Sequence, residues 1–255
     1  MCSEKFLENT AVFRFLVISV LVGLIVSCSS PLQLQKSTHA YYRMKQDSLR
    51  LYDSAMHYTV EPYRQQLQLR MSEVVGKTEY KLVKERPEGT LCNMMADACM
   101  ETMMYNGYEA DIVVLNYGGV RIPSIEQGNI TLGKIFELMP FDNLLVLLEV
   151  KGSVLQQLLD LSAATGGWPV AGIRMTIDNA KATQVYIQNS PIDLSKTYRL
   201  ITSDYMAGGG DKATMLANAD KRIDTNILLR DAIVHYVKKY SPLIIKKDGR
   251  VSNQP

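Results

Sequence analysis

Apolar residues recur at helical spacing over residues 91–105, where Leu91, Met94, Met95, Ala98, Cys99 and Met103 share one stripe. The spacing predicts a helix there, ended by Asn106-Gly107. Short apolar runs rich in branched residues follow at 111–116 and 144–150, with the length and composition of buried strands. Between them Thr131 stands as a cap to a periodic stretch reaching Met139, and Pro140 closes it. Another helix is expected over 152–162, with Leu155, Leu158, Leu159 and Leu161 apolar. Beyond Gly166-Gly167-Trp168-Pro169 the pattern changes to strands at 170–177, 183–188 and 198–203. A glycine-rich loop is expected at 205–212, a last helix over 224–240 and a strand after Gly249. Ahead of all this, 41–57 fits a helix loosely. Pro62 is expected to open a second helix running to Arg70, at a first turn where its missing N–H costs nothing. The sum is a mixed α/β fold: a single domain whose mixed sheet is packed by helices, without solenoid-type repeats.

The start of the chain breaks from this pattern. Residues 13–26 form an apolar run, with Lys5 and Arg14 toward its beginning, and it stops at Ile25-Val26-Ser27-Cys28. A charged start and an apolar centre are the marks of a secretory signal. The small residue before cysteine resembles the bacterial lipobox, whose cysteine takes lipid. The run is shorter than the ~20 residues a spanning helix needs. The expected organisation is a lipoprotein signal peptide over 1–27, lipidation at Cys28, a tether over 28–40 and a globular domain over 41–255. The protein is thus expected to be exported and held by its lipid at a membrane of the bacterial cell envelope. Ser29-Ser30, with no acidic residue, favours outer-membrane over inner-membrane retention in a cell that has both.

Cys92 and Cys99 are the cysteines left in the domain. Seven residues of helix separate them by about 10.5 Å, beyond the reach of a disulfide, so two buried thiols are expected. The formal net charge of +2 leaves no footprint for a nucleic acid polymer. The basic run Ile245-Lys246-Lys247-Asp248-Gly249-Arg250 reads as a solvated turn.

Candidate chemistry is sparse. The three histidines, His39, His57 and His235, are scattered. They do not form the ligand set that a two-metal phosphatase requires. Neither a Gly-x-Ser-x-Gly elbow nor a phosphate-binding glycine-lysine loop is present. The methionines of the 91–105 stripe are core filler rather than soft-metal ligands. Three segments are odd for packing alone. Asn116-Tyr117-Gly118-Gly119-Val120-Arg121 ends a strand in two glycines and a guanidinium, which suits an anion, although a tight turn with a solvated arginine would look the same. Pro140-Phe141-Asp142-Asn143 holds an aromatic beside an amide, able to stack on a flat ring and bond its edge, or to serve as core plug and turn. Tyr205-Met206-Ala207-Gly208-Gly209-Gly210-Asp211 combines a second aromatic, close backbone approach and a carboxylate, or is a flexible loop.

In order, these segments resemble the C-terminal domain of periplasmic and cell-surface 5′-nucleotidases. Leu91-Cys92-Asn93-Met94-Met95-Ala96-Asp97-Ala98 is similar to that family's Leu-Gly-Asn-Leu-hydrophobic-Ala-Asp-Ala helix. Gly118-Gly119-Val120-Arg121 resembles its Gly-Gly-Ile-Arg, and Gly128-Asn129-Ile130-Thr131 its Gly-Asp/Glu-Ile-Thr. Met139-Pro140-Phe141-Asp142-Asn143 resembles its Pro-Phe-Gly-Asn, and Lys196-Thr197-Tyr198-Arg199-Leu200 its Lys-Thr-Tyr strand. Gly209-Gly210-Asp211 follows at the expected distance. The ordered set is far more specific than any one member.

The resemblance implies a 5′-nucleotidase C-terminal-type fold and a substrate site. Phe141 and Tyr205 would be the two walls of a base sandwich, Asn143 would bond the base, Asp211 would accept from ribose hydroxyls and Arg121 would face phosphate. Gly118, Gly119, Gly209 and Gly210 would shape the surrounding backbone. Asp142 departs from the pattern by replacing a glycine and adding charge near the base. Lys212-Ala213 replaces Gly-aromatic. Relatives carry further phosphate-side arginines before the first helix, where this chain reads Lys81-Leu82-Val83-Lys84-Glu85-Arg86 without a residue-by-residue match.

In that family the metals and the catalytic Asp/His pair belong to a separate metallophosphatase domain. The roughly sixty residues between Cys28 and Pro87 are too few for one. No catalytic residue, metal ligand or cofactor is therefore expected in this chain. It would bind a nucleotide or nucleoside as the substrate half of a split 5′-nucleotidase, with divalent metals held by a partner metallophosphatase chain. The competing readings are a non-catalytic nucleotide-binding lipoprotein, and a degenerate domain kept as a scaffold.

Overall fold

The computed structural model describes residues 54–254. The signal segment, Cys28, the tether and most of the helix expected over 41–57 lie outside the described residues. In chain order the elements are α1 (Ser54–Met71), β1 (Val74–Thr78), β2 (Leu82–Val83), α2 (Thr90–Tyr105), β3 (Ile112–Val114), β4 (Ser124–Ile125), β5 (Gly128–Thr131) and α3 (Leu132–Leu138). Then come β6 (Leu144–Lys151), α4 (Gly152–Ala164), β7 (Val170–Ala171), β8 (Ile173–Asp178), β9 (Lys181–Ile187), β10 (Ser190–Pro191) and β11 (Thr197–Ser203). Last are α5 (Asp204–Ala207), β12 (Lys221–Leu228), α6 (Leu229–Tyr240) and β13 (Val251–Asn253).

A five-stranded sheet in the order β12-β6-β11-β3-β7 forms the centre. Only the β11–β3 pair is parallel, so the sheet is mixed. Its central strands β6, β11 and β3 are apolar on both faces because both are covered, whereas the edge strand β12 is mostly polar and half-exposed. Leu145 and Leu147 of β6, Val113 of β3 and Ile201 of β11 point into one core with the stripe of α2 and with Leu229, Ile233 and Val237 of α6. Their neighbours Val146, Leu148, Ile112, Val114 and Leu200 point into the other core, against α4 and the small sheet β10-β9-β8-β13. The period of two along each strand thus sorts the branched residues between two layers. Cys92 and Cys99 are free, buried thiols, as their helical spacing predicts.

Several elements differ from the expectation. Pro62 lies inside α1 rather than opening a helix. The helix is solvent-exposed along most of its length, so water can serve the carbonyl that the proline leaves without its N–H. The single strand expected at 170–177 is two, in different sheets, because the chain turns at Gly172 with φ +75°. A Cβ there would fall 2.3 Å from the Asp111 carbonyl oxygen. Gly172→Ala is expected to destabilise the fold by about 2 kcal/mol through the left-handed backbone and this clash; a wild-type urea midpoint in that variant would contradict it.

The first part of the helix expected over 224–240 is the edge strand β12. It pairs with β6, and Thr225 donates its hydroxyl to the Leu145 carbonyl at 2.6 Å. Residues 205–212 are not a loose loop but the one-turn helix α5 followed by a 3₁₀ turn over Gly210–Lys212. Ser203 accepts from the Met206 N–H and so caps α5.

Arg250 is not solvated either. Its side chain is only 12% exposed, and it pairs with Asp97 and Asp248. Buried Glu88 secures the same turn by accepting from the backbone N–H groups of Asp248 and Gly249 and from Asn93.

Candidate binding cleft

The topology brings four chain segments to one end of the central sheet. β3 and β11 run parallel, so the segments after them, from Asn116 and from Ser203, leave at the same edge. β6 runs antiparallel to β11, so the residues before β6, Phe141 to Asn143, arrive there too. β12 is antiparallel to β6 and delivers Leu229 at that edge. Carboxyl ends of strands in open α/β sheets are where ligands usually sit. Here they frame a cleft of about 450 Å³ lined by Asn116, Gly118, Gly119, Arg121, Met139, Phe141, Asp142, Asn143, Ser203, Tyr205, Asp211 and Leu229.

Seven of the residues singled out in the sequence therefore meet in one place: Gly118, Gly119, Arg121, Phe141, Asn143, Tyr205 and Asp211. Phe141 and Tyr205 are each 47% exposed, and both line the same cleft. Gly209 and Gly210 do not line the cleft but support it. Gly209 takes φ +90° to turn the chain out of α5. A Cβ on Gly210 would stand 2.5 Å from the Tyr205 ring, so the absence of a side chain there seats the ring.

Asp211 is held from two sides. Asn116 donates to its Oδ2 at 2.7 Å and the Tyr205 hydroxyl to its Oδ1 at 3.1 Å. Its own φ is +49°, a left-handed conformation that a non-glycine residue keeps only under constraint. Asn116 reaches Asp211 by folding over the glycine pair. A Cβ on Gly119 would meet its Oδ1 at 2.9 Å. Gly119 thus makes room for the Asn116 side chain. The N–H groups of Gly119, Val120 and Arg121 are already bonded to the carbonyls of Asn116, Tyr117 and Leu138.

What that turn offers outward is the Arg121 guanidinium, which lies 5.3 Å from the Phe141 ring centroid and donates to the Gly118 carbonyl at 3.3 Å. Lys84 and Arg86 stand beside it, over the Tyr117 ring at 4.2 and 4.1 Å from its centroid. Burial, and behind it the like charges of Arg86 and Arg121, draws the Lys84 pKa below its usual value. The region from which sequence matching extracts no arginine register therefore places two cations against the glycine turn.

Asp142, the charged departure from the family pattern, is paired with Arg230 at 2.6 Å. Arg230 also donates to the Phe141 carbonyl at 3.3 Å. The extra charge near Phe141 is thereby balanced. Asn143 donates to Asp204 at 3.0 Å. Ser203, Asp204 and Arg230 are residues that sequence reasoning misses, and Asn116, although it opens one of the three odd segments, has no role assigned from sequence. The partners of Asn116 and Asp204 lie 95 and 61 positions away. Among the described residues no group of three or more His, Cys, Asp or Glu side chains could hold a metal ion.

Comparison with known proteins agrees with this architecture. Residues 74–218 match the family model of the 5′-nucleotidase C-terminal domain. Protein UshA of Yersinia enterocolitica is 32% identical over 201 residues, 75% of this chain and 36% of that protein. A 5′-nucleotidase of Vibrio vulnificus is 28% identical over 205 residues, again covering 36% of its length. The crystal structure of a 5′-nucleotidase precursor from Thermus thermophilus superposes with a TM-score of 0.71 at 28% identity, over 80% of this chain and 44% of that one. The chain belongs to the 5′-nucleotidase C-terminal domain family, and it spans about a third of the length of these curated relatives.

Proposed function

We propose that the cleft binds a nucleotide or nucleoside, and that the chain is the substrate-binding half of a split 5′-nucleotidase of the bacterial cell envelope. The observation that carries this is the convergence of two half-exposed aromatics, an amide, a braced carboxylate and a guanidinium in one cleft. A base stacks between Phe141 and Tyr205, with its edge at Asn143. Asp211 keeps a free lone pair on each oxygen for ribose hydroxyls. Phosphate lies toward Arg121, with Lys84 and Arg86 raising the local positive potential. Hydrolysis needs divalent metal held by a separate metallophosphatase chain, and the lipid on Cys28 keeps the pair at the membrane surface.

The experiment is AMP hydrolysis with Mn²⁺ by the purified protein, by a metallophosphatase chain from the same cell, and by both together. The expected result is background turnover for this protein alone and a rate for the pair well above either component. Turnover by this protein alone that persists through purification would overturn the division of labour. Nucleoside binding without any gain from the pair would leave a binding lipoprotein instead.

A further inference from the structure

Asn143 is not free to choose its hydrogen-bonding polarity. Asp204 Oδ1 accepts from the Tyr205 backbone N–H at 2.7 Å and from Asn143 Nδ2 at 3.0 Å. An ionised carboxylate only accepts, so a flipped Asn143 amide would set its oxygen against the Asp204 oxygen. The backbone of Asn143 is anchored as well, since its carbonyl accepts from the Leu229 N–H at 2.9 Å. Among the described residues no donor reaches the Asn143 Oδ1, and Asn143 lines the cleft.

We propose that Asp204 locks Asn143 so that the cleft selects bases carrying an exocyclic amine, adenine over hypoxanthine. This rests on the reading of the cleft as a nucleoside site. An unrestrained asparagine can rotate its amide and serve either polarity, and so discriminates little. Locked, it presents its oxygen as acceptor with one N–H beside it. That order complements adenine, where the N6 amine donates next to a ring nitrogen that accepts. Hypoxanthine carries an oxygen at the same place, and two acceptors then face each other in a site partly shielded from water. Asp204 does not touch the base; it is a positioning residue acting through Asn143.

The test is calorimetric titration of adenosine and of inosine, which share ribose and ring area, so that stacking and sugar contacts cancel in the ratio of their affinities. Wild type is expected to bind adenosine about tenfold more tightly than inosine. In Asp204→Ala the ratio is expected to fall toward one, even if both affinities drop because Tyr205 is less well held. A wild-type ratio near one overturns the lock and leaves the nucleoside site standing. So does a tenfold ratio that survives Asp204→Ala. Binding of neither nucleoside at millimolar concentration overturns both readings.

Discussion

Asp97→Ala is expected to lower the stability of the fold by about 3 kcal/mol. All five N–H donors of Arg250 are engaged: Nε and Nη2 on Asp248, Nη1 and Nη2 on Asp97 at 2.7 and 3.2 Å, and Nη1 on the Val170 carbonyl. Removing Asp97 leaves two of these donors unpaired on a side chain only 12% exposed. A buried charge that loses its partner costs far more than a surface ion pair contributes. The contact also ties the C-terminal turn to α2 across 153 positions of chain. The measurement is urea unfolding of wild type, Asp97→Ala and Asp97→Asn. The alanine variant should lose on the order of 1 M in midpoint, and the asparagine variant less, because it retains one acceptor. A change under about 0.5 kcal/mol, the usual range for surface substitutions, would mean that Arg250 is solvated after all.

That turn shows where sequence and structure part. Ile245 to Arg250 has the composition of a solvated loop, and nothing local reveals that Asp97 and Glu88 are waiting for it. The helix α2 is legible because its apolar stripe repeats over four turns, and β3 and β6 because branched apolar runs of that length have few alternatives. The strand β12 is illegible for the opposite reason. Its residues run straight into those of α6, and it is a strand because β6 offers an edge to pair with. Phe141, Asn143, Tyr205 and Asp211 stand out through the ordered resemblance of their motifs, whereas the bracing by Asn116 and Asp204 is a product of topology. Gly119 has a role that composition does not reveal: it admits the Asn116 side chain, which then fixes Asp211.

The second large effect concerns the aromatics. Phe141 and Tyr205 lie 64 positions apart in the chain and at one cleft in the fold, both half-exposed. Base–aromatic stacking is worth about 1–3 kcal/mol per ring. Phe141→Ala should therefore weaken adenosine binding by about ten- to a hundredfold. Tyr205→Ala should do at least as much, because it also removes the hydroxyl that braces Asp211. Phe141 lies outside the buried core, so Phe141→Ala should keep the wild-type stability within about 0.5 kcal/mol, whereas Tyr205→Ala also loses two hydrogen bonds with Asp211 and should cost more. Calorimetric titration of adenosine into the wild-type protein and these two variants tests the nucleoside cleft most directly. The expected result is one saturable site in wild type, weakened in each variant by the factor above. Equal binding by all three proteins, or no binding by wild type at millimolar adenosine, would contradict it.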